Sequence, residues 1–328
     1  MAFSDITGIF SRYFVVGFFL PAFVSLISFR LTANADSVPD ELASRPEATE
    51  LLILGGVAVV LGLALSGGSY YITRLFEGYP LDRLSGKRVV GRLHHVALLP
   101  ERRRFGRLFG IRENKSRPNQ ERARAGWTLD RSFPRDEDDL LPTRLGNALR
   151  AFERHSNVRW GLDGITIWPR IEMLLSAEER ELHVDAKIDF YVFLNAAFGA
   201  FVVGACLIVD KALNTPSLTA HWLLYGIPFL LGYVLYRASI TPAIAWGDVV
   251  RSSIDLHRLE IYEKLGVRTP RSFTDERELA DKVNKHLLYG RPLLKDELWR
   301  GTDDEKCEEK AGGSDLLAWL NRHLMRGA

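Results

Sequence analysis

LLILGGVAVVLGLALSGGSYYIT, residues 51–73, holds no ionisable side chain apart from two tyrosines. A helix needs roughly 20 residues, at about 1.5 Å each, to cross the hydrocarbon core of a bilayer. A soluble helix of that length would show a polar stripe, and this stretch shows none. It reads as a membrane span. Outward from it, FYVFLNAAFGAFVVGACLIV at 190–209 reads the same way, and YFVVGFFLPAFVSLISF at 13–29 follows, with Pro21 as a kink and Arg30 reaching for an interface. A fourth stretch, Leu218 to Tyr236, contains Pro228 and stops at Arg237. Averages hide all four, since 47% hydrophobic and 26% charged residues would suit an ordinary soluble chain.

The expected fold class is an all-α membrane protein, with four transmembrane helices in two hairpins and a mostly helical cytoplasmic domain. Residues 1–74 form the first hairpin, 75–189 a basic, helical cytoplasmic domain, 190–242 the second hairpin, and 243–328 a cytoplasmic helical tail. Met1 to Arg12 carries one acid and one base and no clean small-residue cleavage site follows, so the first span is expected to be retained. Orientation follows from the loops, because Lys and Arg accumulate inside. Residues 32–50 contain Asp36, Asp40, Glu41, Glu47 and Glu50 against Arg45, and Lys211 is the one base at 210–221. Between Arg83 and Arg135, by contrast, fifteen bases face four acids. Both termini are therefore expected in the cytoplasm.

The basic stretch is punctuated by Gly86, Gly91, Gly106, Gly110, Pro118 and Gly126, which predicts loops and short elements. DEDD at 136–139 reverses the charge, and a helix follows Pro142. SAEE at 176–179 resembles a capping box that opens a helix running into the third span. The pattern from Ala243 to Leu265 extends the fourth span inward to Gly266. Beyond it, Asp275 to Tyr289 and SDLLAWLNRHL at 314–324 read as helices, with an acidic linker at 303–309.

Two blocks, PTRLGNALRAFERHSNVRWGLDGITIWPRI at 142–171 and WGDVVRSSIDLHRLEIYEKLG at 246–266, resemble segments of a widespread group of uncharacterised bacterial multi-pass membrane proteins. The resemblance implies a bacterial plasma (inner) membrane and carries no activity.

Enzyme chemistry finds no foothold. Gly86-Lys87 lacks the rest of a phosphate-binding loop, and GxSxG, HExxH and dinucleotide fingerprints are missing. Asp163 and Glu172, either side of Trp168, read as ion-pair partners. Cys206 and Cys307 have no ligand neighbours, and the adjacent His94 and His95 point different ways, so no metal or cofactor is implied. No acid, lysine or histidine sits near the middle of a span, which disfavours a proton-coupled transporter.

Two classes of function remain. In one, a homo-oligomer forms a pore lined by Ser25, Ser66, Ser69, Thr73 or Asn195 and gated by a cytoplasmic ligand-sensing domain. Small residues four apart, Ala58, Gly62 and Ser66, and Ala196, Ala200 and Gly204, would pack helices within one chain or between chains. In the other, the chain is a membrane-anchored scaffold for anionic lipid, nucleic acid or protein. The candidate anion or nucleotide site is Arg102, Arg103, Arg104, Arg107, Arg112 and Lys115, with Phe105 and Phe109 interleaved to stack on bases. Arg144, Asn147 and Arg150 share a helical face, and Trp168 and Arg170 flank Pro169; they are expected to lock the inner domain onto Asp185, Asp248 or Asp255.

Overall fold

A computed structural model describes residues 11–32, 47–80, 88–214 and 222–293. Residues 33–46 of the acidic outer loop, Cys307, the linker at 303–309, the helix at 314–324 and the side chains of Glu47, His94, His95 and Lys211 lie outside the described residues, whereas Glu50 stands in the first turn of the second apolar helix. The described residues form helices and no strands. In chain order these are α1 (Arg12–Thr32), α2 (Glu47–Glu77), α3 (Arg88–Glu113), α4 (Asn119–Ser132), α5 (Arg144–Glu153), α6 (His155–Trp160), α7 (Gly164–Leu174), α8 (Ala177–Asn214), α9 (Trp222–Lys264) and α10 (Phe273–Tyr289). Four of them, α1, α2, α8 and α9, are long and apolar enough to cross a membrane. The chain divides into two compact units, Met1–His155 with Leu175–Ser252, and Ser156–Leu174 with Ser253–Ala328.

In the first unit, α8 starts on a true capping box. The Ser176 backbone N–H donates to Glu179 and the Glu179 N–H donates back to Ser176 Oγ at 3.2 Å. The helix then runs unbroken through the apolar stretch, as α9 does through Pro228 and Pro242. A proline is accommodated differently in α1. Pro21 has no N–H, so in a regular helix the Gly17 carbonyl four residues earlier would have no donor. Asn195 of α8 supplies one, its Nδ2 lying 2.8 Å from Gly17 O, and the turn at Val15–Phe19 widens to a π-helix there. Gly62 of α2 allows the backbone of Phe19 to come close, since a Cβ at Gly62 would lie 3.2 Å from Phe19 Cα.

The basic stretch corrects the expectation of loops. It is two long helices, α3 and α4, which pack Leu98, Phe105 and Leu108 against Leu129, Phe133 and Leu140. The glycines misled because Gly106 and Gly110 sit within α3 with no neighbour near their Cβ positions. There a glycine costs only about 1 kcal/mol relative to alanine and does not end a helix. Among these breakers, Pro118 does what was expected, standing at the turn between α3 and α4.

In the second unit, α6, α7, residues 253–264 of α9 and α10 pack around Ile167, Ile171, Ile261, Tyr262 and Leu279. The Trp160 indole donates to Asp255 at 2.6 Å, and the Arg258 guanidinium lies over its ring at 3.7 Å while bonding Glu276 at 3.0 Å. Burial pushes the Glu276 carboxyl up, against the pull of Arg258. Asn284 ties α10 to the turn after α6, donating to Gly161 O and accepting from the Asp163 N–H. Gly161 needs its left-handed φ of +82° for that turn.

Candidate functional site

The polar end of α2 is built around the segment that opens α5. Gly78 ends α2 in a left-handed conformation, φ +89°, with no room for a Cβ beside Pro142. Thr143 caps α5, accepting from the Gly146 N–H at 3.0 Å and donating to the Glu77 carbonyl at 2.9 Å. Gly146 lies against that same carbonyl, because a Cβ there would be 2.4 Å from Glu77 O. Asn147, fully buried, accepts from the Leu141 N–H at 2.7 Å, donates to the Leu141 carbonyl at 3.0 Å and reaches Glu101 at 3.4 Å. PTRLGN is thus a clamp that fixes α5 to the end of α2 and to α3.

Five arginines around this clamp, Arg74, Arg104, Arg144, Arg150 and Arg154, have acids. Arg74 holds Glu77 at 2.9 Å and lies over the Tyr79 ring at 4.4 Å. Arg104 and Arg144 share buried Glu101 at 3.2 and 3.4 Å. Burial lowers the Arg104 guanidinium from its ordinary value while Glu101 raises it, and burial likewise pushes the Tyr79 phenol up. Arg150 and Arg154 both return to Asp139, at 3.5 and 3.3 Å. The expected partners of Arg150 are taken elsewhere, since Asp185 pairs with Arg12, Asp248 with Arg131 and Arg251, and Asp255 with Trp160. Proximity along the chain decides this, because the acidic turn just before α5 folds back onto its basic face.

The arginine cluster of α3 separates into two sets. Arg104 is committed to Glu101 and lies over Phe133, Arg102 approaches Glu137 at 4.0 Å, and Arg112 bonds Glu113 at 3.0 Å and covers Phe109. Arg103, Arg107 and Lys115 are exposed and have no acidic partner among the described residues. Phe105 is buried in the α3–α4 core, which leaves Phe109 and Trp127 as the exposed aromatics of this pair. The base of α4 is held to α9, where Arg131 pairs with Asp248 and Arg251 donates to the Asp130 carbonyl. Those positions follow Tyr236 by roughly 18 to 22 Å of helix.

The polar candidates of the spans are mostly spent inside the chain. Ser25 donates to the Pro21 carbonyl at 2.7 Å and Thr73 to the Ser69 carbonyl at 2.8 Å, and Ser69 is half-buried on α2. Asn195 serves Gly17. Ser66 is half-buried on α2. Arg144, Asn147 and Arg150 belong to the first unit, Trp168 and Arg170 to the second, where Arg170 donates to the Thr166 carbonyl of its own helix. Sequence reasoning missed Glu77 and Glu101. A signal for Glu101 exists, because a charge at the 98, 101, 105, 108 spacing sits in an otherwise apolar stripe.

No group of metal-ligating side chains occurs among the described residues. No family model, curated protein or solved structure matches the chain.

Proposed function

We propose that this chain is an anchor in the bacterial plasma membrane, crossing it as two hairpins with both termini inside. It presents α3 and α4 as a cytoplasmic arm for a phosphate-bearing polyanion. The carrying observation is the contrast within one arginine run, where Arg104 is consumed by Glu101 while Arg103, Arg107 and Lys115 stay exposed and without acids among the described residues. Unpaired guanidinium groups on a rigid helix lose little when they bind phosphate. Exposed Phe109 and Trp127 carry Arg112 and Arg131 over their rings, and guanidinium planes held in this way stack on bases.

Purified full-length protein is titrated with short single-stranded oligonucleotides and with anionic liposomes across a salt series, then again as Arg103→Gln/Arg107→Gln. Oligonucleotide binding that weakens with salt and with the substitutions is expected. Liposome binding alone would place the arm on headgroups, and no effect of the substitutions on either ligand would refute the reading.

A second reading, a homo-oligomeric pore gated by this arm, draws on α2. Only 11% of its apolar stretch is buried within the chain, against 39% for α8. With most polar candidates of the spans bonded inside one chain, any conducting wall has to form between copies. Single-channel current in a planar bilayer is the measurement that would establish it.

A further inference from the structure

Between α1, α2 and α8, within the first unit, runs an apolar groove of about 440 Å³. Its walls include Leu26 and Phe29 of α1, Leu61 and Leu65 of α2, and Val202 and Cys206 of α8. All of them belong to helices long and apolar enough to cross a membrane, so the mouth of the groove faces hydrocarbon. The hydroxyl on its wall, Ser25, is satisfied by the Pro21 carbonyl, which leaves no wall atom that calls for water.

The proportions select the occupant. On α2 the lining runs from Leu61 to Ile72, roughly 16 Å of helix, and one leaflet supplies about half of a hydrocarbon core roughly 30 Å thick. That length and the almost wholly apolar lining suit an alkyl chain lying along the groove. A helix of a second copy is the competing occupant, and it would show no preference for one headgroup over another. At the end of the groove, next to Phe29, Arg30 Nε donates to Glu50 Oε1 at 2.7 Å and both side chains remain partly exposed. A guanidinium beside a carboxylate complements a phosphate and an ammonium carried on one headgroup.

We propose that this groove holds one acyl chain of a resident phospholipid whose ammonium-bearing zwitterionic headgroup sits on the Arg30–Glu50 pair. The lipid fills the space between α2 and α8 and is part of the packed structure, unlike the lipids that merely surround it.

The wild-type chain is reconstituted in nanodiscs of phosphatidylethanolamine and phosphatidylglycerol that contain a phosphatidylethanolamine with a photoactivatable acyl chain, and adducts are mapped by peptide mass spectrometry. Adducts on 61–65 and 198–206 should exceed those on Leu52, Leu230 and Val234 at least fivefold, although these three are 77%, 65% and 53% exposed. Moving the photoactivatable chain to phosphatidylglycerol should cut the groove adducts at least threefold. Native mass spectrometry should find one phospholipid on each wild-type chain, and Val202→Trp, which fills the groove, should remove it and abolish the preference. Adducts spread evenly over exposed span residues in the wild type, or equal adducts from both headgroups, would overturn the proposal whether or not the variant folds. A wild-type chain that carries no phospholipid would overturn it too.

Discussion

Two arginine-rich helices of similar composition do opposite things. On α5, Arg144 and Arg150, with Arg154 at its C-cap, are all met by acids of the same unit, Glu101 and Asp139. On α3, Arg103 and Arg107 meet none among the described residues. The acid within reach, rather than the density of arginine, separates a structural face from a face left for a partner. The difference also makes the two regions separable by experiment, since one should respond in stability and the other in binding.

The largest effect should come from Asn147→Leu, which strands the buried N–H and carbonyl of Leu141. Each orphaned group costs about 1–3 kcal/mol, so unfolding in detergent should show a loss of about 3 kcal/mol, and a loss under about 1 kcal/mol would mean that the clamp is not a clamp. Gly146→Ala comes next. Its methyl would press on the Glu77 carbonyl, and overpacking of this kind costs about 1–3 kcal/mol. The same melts check it, and an unchanged midpoint would show that α5 can slide on α2.

Arg103→Gln/Arg107→Gln should leave stability within about 0.5 kcal/mol, as surface changes do. Its signature lies in the salt dependence of polyanion binding, whose log–log slope should fall by roughly 1.4 to 1.8 when two phosphate contacts are lost. Arg144→Gln/Arg150→Gln should do the reverse, lowering stability and leaving that slope alone. If the two double variants behave alike, the contrast between the helices fails.

The smallest effect belongs to a pair that is satisfied yet lies near the surface. Hydrogen bonds from Arg268 and from the Arg271 N–H hold the Asp275 carboxyl well below the usual carboxylate range. A folded-state pKa below the unfolded one stabilises fully above the unfolded value, near pH 4, and the stabilisation is lost as pH falls through the folded value. Asp275→Asn should therefore flatten the decline in melting temperature between about pH 5 and pH 3, and an unchanged acid limb would discount the pair.

The long apolar helices were legible because a run without charge has no other stable setting at that length. The arm was not, because Gly106 and Gly110 imitate breakers, and only the spacing of Leu98, Phe105 and Leu108 announces the helix that contains them. The arginine cluster was legible as a cluster but not as two populations. That division depends on Glu101, one turn from Arg104 on α3 itself and buried by the fold, and on Glu137, which tertiary folding brings to Arg102. Asn195 carried a polar signal in an apolar run and was read as a wall for ions. The residue that explains it, Pro21, lies 174 positions earlier, and only the missing backbone donor connects the two.

That connection bears on how the chain is made. The Gly17 carbonyl waits for a donor that is 178 residues downstream, and at 5–20 residues per second the ribosome needs roughly 9 to 36 s to reach it. If α1 enters the bilayer as soon as it is synthesised, it does so with a vacancy that is expensive in hydrocarbon. Release of the finished bundle then hinges on a late helix completing an early one, so pausing translation between residues 33 and 194 should leave α1 exposed to quality-control proteases for longer than α2.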